Sequence, residues 1–202
     1  MALPSSEAYW HIGATTIRLD KVNPRNVIGE KSLLAMVLRP WAMESVARTI
    51  GRWTQMRRGG TAVMTKLTIT QMDRIAREDV PGVGQTGIVF EAIEDGLVRA
   101  RLPFHLDSLR PGGTVSGPTM MGLADLVMYA CVLSRIGIIK MAVTTNLNAH
   151  FLRLPGPVDL IAEGQLIKCG RRLAYGEVTI TSDGEPDEAV CHVTVTYSIP
   201  PR

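Results

Sequence analysis

The longest apolar stretch of the chain runs from Pro118 to Ile136, and its few polar positions do not mark out one exposed face. A helix that is apolar nearly all round is buried by protein on most of its sides. Proline is favoured in the first turn of a helix, and either Ser116 or Gly117 is placed to cap it. The pattern therefore predicts one long central helix with the rest of its domain packed around it.

Runs rich in β-forming residues lie on both sides of this helix. Before it, residues 87–93 and 97–102 flank an Asp-Gly pair, which is a strong hairpin signal, and a short amphipathic helix that opens at Thr70 precedes them. Short turns separate the runs that follow, which favours antiparallel pairing; these runs are 142–152, 158–169, 173–181 and 189–199. We therefore predict an α+β domain, with an antiparallel sheet wrapped around one long buried helix.

The first 63 residues differ from the remainder in charge. They hold nine Lys and Arg against four Asp and Glu, whereas residues 64–202 hold thirteen against fifteen. Within this stretch only 42–56 has the spacing of a short basic amphipathic helix. We expect 1–63 to be a loosely ordered basic extension, or the product of a start codon placed too far upstream, and 64–202 to be the functional domain. A nucleic-acid or membrane-surface arm is the alternative, but the basic residues are not clustered.

Composition indicates a globular domain without disulfides, a membrane span or a metal site. With 202 residues, 46% of them hydrophobic, the chain can bury a substantial core. Its three widely spaced cysteines fit a reducing, cytoplasmic setting and exclude a disulfide framework. Charged residues interrupt the central apolar stretch, so we expect no membrane span. The four histidines show no metal-ligand spacing, so we expect no metal site.

One acidic residue, Asp125, stands inside the predicted buried helix. An ionised carboxylate there is costly unless it is paired, as in a buried salt bridge, or used in catalysis. The glycine-rich segment 112–117 leads into the helix; it is either a plain tight loop or a donor of N–H groups to a developing oxyanion. Gly117 and Asp125 are eight residues apart, about 12 Å along a helix axis. One substrate carbonyl cannot use both from one chain, so if both act they belong to different subunits.

Polar side chains alternate along the strand that follows the helix. Every second position between 142 and 152 is polar, which predicts one polar face made of Thr144, Asn146, Asn148 and His150. A solvated strand face or a polar dimer seam would show the same pattern. Three arginines at strand ends and turns are candidates for phosphate binding, although most such arginines are merely solvated: Arg153, Arg171 and Arg172.

Three motifs resemble those of the PaaI-like (phenylacetyl-CoA-type) branch of the hot-dog thioesterases. They are GGTVSGPTMMGLAD at 112–125, TTNLNAHFLR at 144–153 and GRRLAY at 170–175, in the order and spacing of that family. The resemblance covers about 64–202. It implies a hot-dog fold, homodimers assembled into tetramers, and hydrolysis of acyl-CoA thioesters at a subunit interface. Coenzyme A would be part of the substrate, and neither a separate cofactor nor a nucleic-acid partner is expected.

The resemblance also implies roles for individual positions. Asp125 matches the family's general base or nucleophile, Gly117 the N–H donor to the thioester carbonyl, and Thr144 the hydroxyl that orients the attacking water. The residues expected to bind substrate are Arg110, Ser116, Asn146, Asn148, Arg153 and Arg171.

The chain departs from the family pattern at two places. The family usually has His-Gly-Gly where this chain has Ser116, Gly117 and Pro118, and it often has Asn in place of Arg110. Pro118 lacks an N–H, although the donor at Gly117 remains. Arg110 is placed either to pair with Asp125 across the interface or to reach the substrate. A non-catalytic acyl-CoA or lipid-binding hot-dog protein is therefore the alternative function, and the sequence leaves the acyl group open.

Overall fold

A computed structural model of the chain describes residues 9–12, 15–18, 65–80, 82 and 86–201. The chain divides into two units, residues 1–47 and 48–202. In the first unit, strands β1 (Tyr9–Ile12) and β2 (Thr15–Arg18) pair as an antiparallel hairpin, which the irregular polarity of this stretch does not predict. The helix predicted over 42–56 lies outside the described residues.

In the described part of the second unit, two long helices accompany one large sheet. The helices are α1 (Ile69–Asp79) and α2 (Gly117–Ile136). The sheet is built from β3 (Val89–Glu94), β4 (Leu97–Leu102), β7 (Val143–Phe151), β8 (Leu160–Cys169), β9 (Leu173–Ser182) and β10 (Ala189–Ser198). Two short strands, β5 (Leu109–Arg110) and β6 (Thr114–Val115), form a separate hairpin just before α2. The strand order of the sheet is β3-β4-β8-β9-β10-β7, and every pair is antiparallel.

These elements confirm the predicted architecture of an antiparallel sheet around one long helix. The predicted hairpin joins β3 to β4 through Asp95 and Gly96, and the φ angle of 76° at Gly96 is one that glycine adopts without strain. Helix α1 begins slightly before the predicted position, because Thr68 forms a capping box with Gln71.

Two glycines let α2 pack closely against the middle of the sheet. A methyl group on Gly164 of β8 would lie 2.8 Å from the sulfur of Cys131 on α2. A methyl group on Gly176 of β9 would lie 2.6 Å from Cε of Met128 and 2.4 Å from the carbonyl oxygen of Gln165. Because neither site has room for a side chain, the helix packs directly on the backbone of β8 and β9.

The C-terminal half of α2 is also fixed to the β3–β4 turn by a buried hydroxyl. Ser134 is fully buried, and its Oγ accepts a hydrogen bond of 2.8 Å from the N–H of Gly96. The same hydroxyl donates to the carbonyl oxygen of Cys131 at 2.7 Å. Both hydrogen-bonding capacities of this side chain are therefore used inside the core.

Helix α2 is the one helix in the described ranges that is long and apolar enough to cross a membrane. Most of its length is buried inside the fold, as is usual for the core helix of a domain.

Candidate active site

The sheet leaves one face of the N-terminal half of α2 uncovered. Positions 118, 121, 122 and 125 follow three- and four-residue spacing, so they lie on one side of the helix. Pro118, Met121 and Gly122 are exposed on this side, and Asp125 is half-buried at its inner end. The acidic residue is therefore placed where the buried helix meets an open surface.

Two hydroxyl groups hold the carboxylate of Asp125. Thr144 Oγ1 donates to Oδ1 at 2.6 Å, and Tyr197 Oη donates to the same oxygen at 2.8 Å. Among the residues that the structure describes, no Lys, Arg or His forms an ion pair with Asp125. The group is thus neither a salt-bridge partner nor a helix cap, which were the structural alternatives for a lone acid in this helix.

Tyr197 is a fixed donor to this carboxylate. The side chain is 3% exposed, and its ring stacks on that of Tyr129 of α2 with centroids 6.0 Å apart. Burial, together with the neighbouring charge of Asp125, raises the pKa of the Tyr197 hydroxyl above its ordinary value. The phenol therefore stays protonated at neutral pH and can only donate to Asp125.

A β-bulge brings Thr144 to the helix side of the sheet. Residues directly opposite each other on two strands point to the same face of the sheet. Tyr197 of β10 lies opposite Thr144, and its neighbour Thr196, which points to the other face, lies opposite Asn146. Thr145 is the extra residue of the bulge, so the alternation along β7 shifts at this point. The prediction that Thr144 shares a polar face with Asn146 is therefore wrong, because strict alternation does not allow for a bulge.

The outer polar face of β7 still exists without Thr144. Asn148 Nδ2 donates to Asn146 Oδ1 at 2.7 Å, which places these two side chains together. They lie on the face of the sheet opposite to α2, and His150 is opposed there to His192 of β10. Within one chain, Asn146 and Asn148 therefore lie on the opposite face of the sheet from Asp125.

The start of α2 keeps one free N–H group. Ser116 is the N-cap, as predicted: its Oγ accepts from the N–H of Thr119 at 3.4 Å, and its carbonyl oxygen accepts from Met120 at 3.3 Å. Pro118 has no N–H to offer. In the described part of the chain, the N–H of Gly117 is thus the remaining donor of the first turn, at the positive end of the helix dipole.

Gly117 and Asp125 are not brought together within one chain. Both belong to the continuous helix α2, so their separation is the axial distance of about 12 Å. The ring of Phe151, at the end of β7, lies against Gly117, since a methyl group there would be 3.1 Å from Cζ. Phe151 is 51% exposed, so the surface around the helix start is apolar and open.

Two predicted substrate-binding arginines are exposed and form no ion pair with Asp125 within the described part of the chain. Arg110 is exposed on β5, where it is opposed to Thr114 in the small hairpin. Arg153 follows β7 and forms an ion pair with Glu188.

Arg171 lines a separate cleft at the far end of α2. This cleft has a volume of about 790 Å³ and is lined by Ile136, Cys169, Gly170, Arg171, Arg172, Ile199 and Pro201. Ile136 is eleven residues beyond Asp125, or about 16 Å along the helix. Among the described residues, no group of His, Cys, Asp or Glu is arranged to hold a metal ion.

Tyr197 is the site residue that the sequence analysis did not single out. Along β10 the positions that face α2 are otherwise apolar: Cys191, Val193 and Val195 are buried there. A tyrosine that ends such a row needs a hydrogen-bond partner for its hydroxyl. Asp125, the one acid in the predicted buried helix, is a natural acceptor for that hydroxyl. The sequence therefore contains both features from which the Tyr197–Asp125 hydrogen bond could be predicted.

An antiparallel sheet wrapped around a single long helix is the architecture of the hot-dog fold, and here that helix carries a carboxylate held by two hydroxyl donors. The model of the thioesterase superfamily matches residues 112–189, from the glycine-rich approach to the start of β10. The structure of a protein named "putative thioesterase" from Silicibacter sp. TM1040 is 38% identical and has a TM-score of 0.60, with coverage of 71% of this chain and 97% of that one. The chain therefore belongs to the thioesterase superfamily, and this membership supports a hydrolase of the thioesterase type.

Two further solved structures share the fold at lower identity. A mutant of the phenylacetic acid degradation protein PaaI from Thermus thermophilus is 21% identical with a TM-score of 0.53, covering 59% of this chain and 99% of that one. A thioesterase-like protein with coenzyme A from Streptococcus pneumoniae is 23% identical with a TM-score of 0.51, covering 57% and 88%. The resemblance to PaaI-like hot-dog proteins that the motifs indicated is confirmed at the level of the fold and family.

Proposed function

We propose that this protein is an acyl-CoA thioesterase of the PaaI type, with its active site formed between two subunits. The observation on which the proposal rests is the carboxylate of Asp125. It is half-buried in an apolar helix, accepts from Thr144 and Tyr197, and has no cationic partner among the described residues. A charge kept in such a place without an ion pair is typical of a working carboxylate.

The proposed reaction is hydrolysis of the thioester bond. Asp125 takes a proton from water, whose oxygen attacks the thioester carbon, or attacks that carbon itself. The carbonyl oxygen becomes an oxyanion that accepts a hydrogen bond from the free N–H of Gly117 in the partner. In both routes the tetrahedral intermediate expels coenzyme A as a thiolate, which takes its proton from Asp125 in the general-base route and from solvent in the nucleophilic route. The nucleophilic route leaves an acyl-Asp125 anhydride, which water hydrolyses to release the acid and restore the carboxylate. Thr144 donates to Asp125, and the lone pairs of its oxygen are left to accept from the attacking water and orient it.

Strand β7 supports the assembly that this mechanism needs. It is an edge strand of the sheet, nine residues long, and most of its residues are exposed. An exposed edge of this length is a template for pairing with a second copy. Pairing of β7 with the β7 of a second chain would form a two-fold dimer and bring the uncovered face of each α2 towards its partner. We propose this dimer as the functional unit, and two such dimers as the tetramer.

The proposed substrate is supported by chemistry at both ends of α2. The Streptococcus pneumoniae relative binds coenzyme A, and Arg171 and Arg172 beside the cleft are suited to its phosphates. Met121 and Phe151 offer apolar surface near the reacting centre for the acyl group.

The first test is the substitution Asp125→Asn, which removes the base and keeps the size of the side chain. Release of free coenzyme A thiol would be followed over a panel of aryl, short and medium acyl-CoAs. We expect a loss of at least about a hundredfold in kcat/KM on every substrate that the native protein hydrolyses. Asp107→Asn is the matched control, because the side chain of Asp107 is 91% exposed and lies outside the site. Unchanged thiol release by Asp125→Asn would overturn the assignment.

A second test asks whether one active site uses two chains. Gly117→Pro removes the proposed oxyanion donor at a helix position where proline is tolerated. Neither Gly117→Pro nor Asp125→Asn should be active alone. Heterodimers of the two variants would contain one site with both defects and one intact site, so a random mixture should recover about a quarter of native activity. No recovery in heterodimers isolated with two affinity tags would contradict the shared site.

The same assays distinguish a thioesterase from the alternative function, a non-catalytic acyl-CoA-binding protein. Saturable binding of acyl-CoA with no thiol release on any substrate would show a non-catalytic acyl-CoA-binding protein. The replacement of the family's usual His-Gly-Gly by Ser116, Gly117 and Pro118 is the feature that makes this outcome worth testing.

A further inference from the structure

Two hydroxyl groups converge on one carboxylate oxygen in this structure. The Oδ1 atom of Asp125 accepts from Thr144 Oγ1 at 2.6 Å and from Tyr197 Oη at 2.8 Å. Tyr197 Oη also lies 3.0 Å from the backbone carbonyl oxygen of Asp125. We propose that Tyr197 is the positioning residue of the active site, and that it fixes the Asp125 carboxylate so that Oδ2 faces the reacting thioester. The inference rests on the proposed function of Asp125.

The other carboxylate oxygen of Asp125, Oδ2, is free to react. In the described part of the chain, no side chain donates a hydrogen bond to Oδ2 of Asp125. No buried side-chain nitrogen or oxygen in that part lacks a partner, so Oδ2 reaches solvent. An oxygen that is free of protein donors and open to water is the one that can take a proton from water or attack a carbonyl carbon.

The two hydroxyl donors differ in how firmly the fold holds them. Thr144 lies on the edge strand β7, beside a bulge, whereas Tyr197 lies on β10, which is paired on both sides by β7 and β9. The Tyr197 ring is 3% exposed and stacks on Tyr129 of α2, the helix that carries Asp125. A buried ring that stacks on α2 and belongs to a strand paired on both sides keeps its hydroxyl in one place relative to the carboxylate, and such pre-organisation lowers the barrier of the reaction.

This geometry gives Thr144 and Tyr197 different roles in the proposed reaction. Thr144 has lone pairs that remain available to water at the open side of the site. Tyr197 is enclosed and its hydroxyl donates to Asp125, so it acts through the carboxylate and not on the substrate.

The test is Tyr197→Phe, which keeps the ring and its stacking and removes the hydroxyl. We expect kcat to fall about tenfold with KM unchanged, since loss of one hydrogen bond to a charged group is a change of that order. Tyr129→Phe is the matched control. It removes the hydroxyl from the other buried ring of the stack, but that hydroxyl donates to the backbone oxygen of Lys140 at 3.1 Å. This control should keep the native kcat.

A double-mutant cycle distinguishes positioning from general support of the fold. If Tyr197 acts through Asp125, adding Tyr197→Phe to Asp125→Asn should cause no further loss of activity. A further tenfold loss in that background, or an equal loss in Tyr129→Phe, would overturn the inference in favour of a structural role. Full activity of Tyr197→Phe beside an inactive Asp125→Asn would also overturn it, while the proposed function would stand. Full activity of Asp125→Asn would reject both.

Discussion

The close packing of α2 on the sheet makes Gly176 one of the most sensitive positions in the fold. A methyl group at Gly176 would lie 2.4 Å from the carbonyl oxygen of Gln165 and 2.6 Å from Cε of Met128. The end of Met128 can move, but the carbonyl of Gln165 belongs to β8, the strand that pairs with β9. The substitution Gly176→Ala therefore forces either the β8–β9 ladder or α2 to shift.

The size of the effect follows from two opposing contributions. Forcing extra volume into a packed core costs about 1–3 kcal/mol, and contact with the backbone favours the upper part of that range. Alanine also restricts the unfolded chain, which returns about 0.4–1 kcal/mol. Gly176 does not have a positive φ angle, so backbone strain adds nothing. We expect a net loss of about 2 kcal/mol in the free energy of unfolding, or roughly 6 °C in Tm for a domain of this size.

Urea and thermal unfolding at one fixed protein concentration would measure this change. Gly156→Ala is the matched control, because no atom lies within 4 Å of the added methyl group and its φ angle is also not positive. Gly164→Ala should fall between the two, since its nearest contacts are side chains, including Cys131 at 2.8 Å. If Gly176→Ala and Gly156→Ala unfold alike, the argument that glycine sets the helix-to-sheet distance is refuted.

Two further predictions concern buried polar groups of the core. Ser134→Ala should lower the free energy of unfolding by about 1–3 kcal/mol, because it leaves the Gly96 N–H without its acceptor; a change below about 0.5 kcal/mol in urea unfolding would contradict this. Burial raises the pKa of the Cys131 thiol above its ordinary value of 9.0. Above about pH 9 the thiol ionises in the unfolded chain but stays protonated in the folded protein, so the folded state loses stability as the pH rises; below about pH 9 there is no such loss. The free energy of unfolding should therefore fall by up to about 1.4 kcal/mol per pH unit above pH 9, and less steeply in Cys131→Ala; equal slopes would count against it.

The site could be predicted from the sequence only in part. Asp125 stands out because an acid inside an apolar helix is visible in the linear pattern, and Gly117 stands out because it opens the same helix. The family resemblance identifies Thr144, but strict alternation along the strand predicts the wrong face for its side chain. The bulge at Thr145 depends on how β7 pairs with β10, which no local pattern of polarity records.

The pattern of apolar, polar and turn residues in the sequence determined which helices and strands form and in what order they follow one another. Apolar periodicity and turn residues act locally, so they were sufficient to predict the buried helix, the β3–β4 hairpin and the four strands that follow. The tertiary structure alone decided which polar groups meet: Tyr197 and Thr144 are far from Asp125 in sequence and reach its carboxylate only because the sheet closes around α2. The physical reason is that hydrogen bonds form between neighbours in space, and long-range strand pairing and a one-residue bulge fix those neighbours.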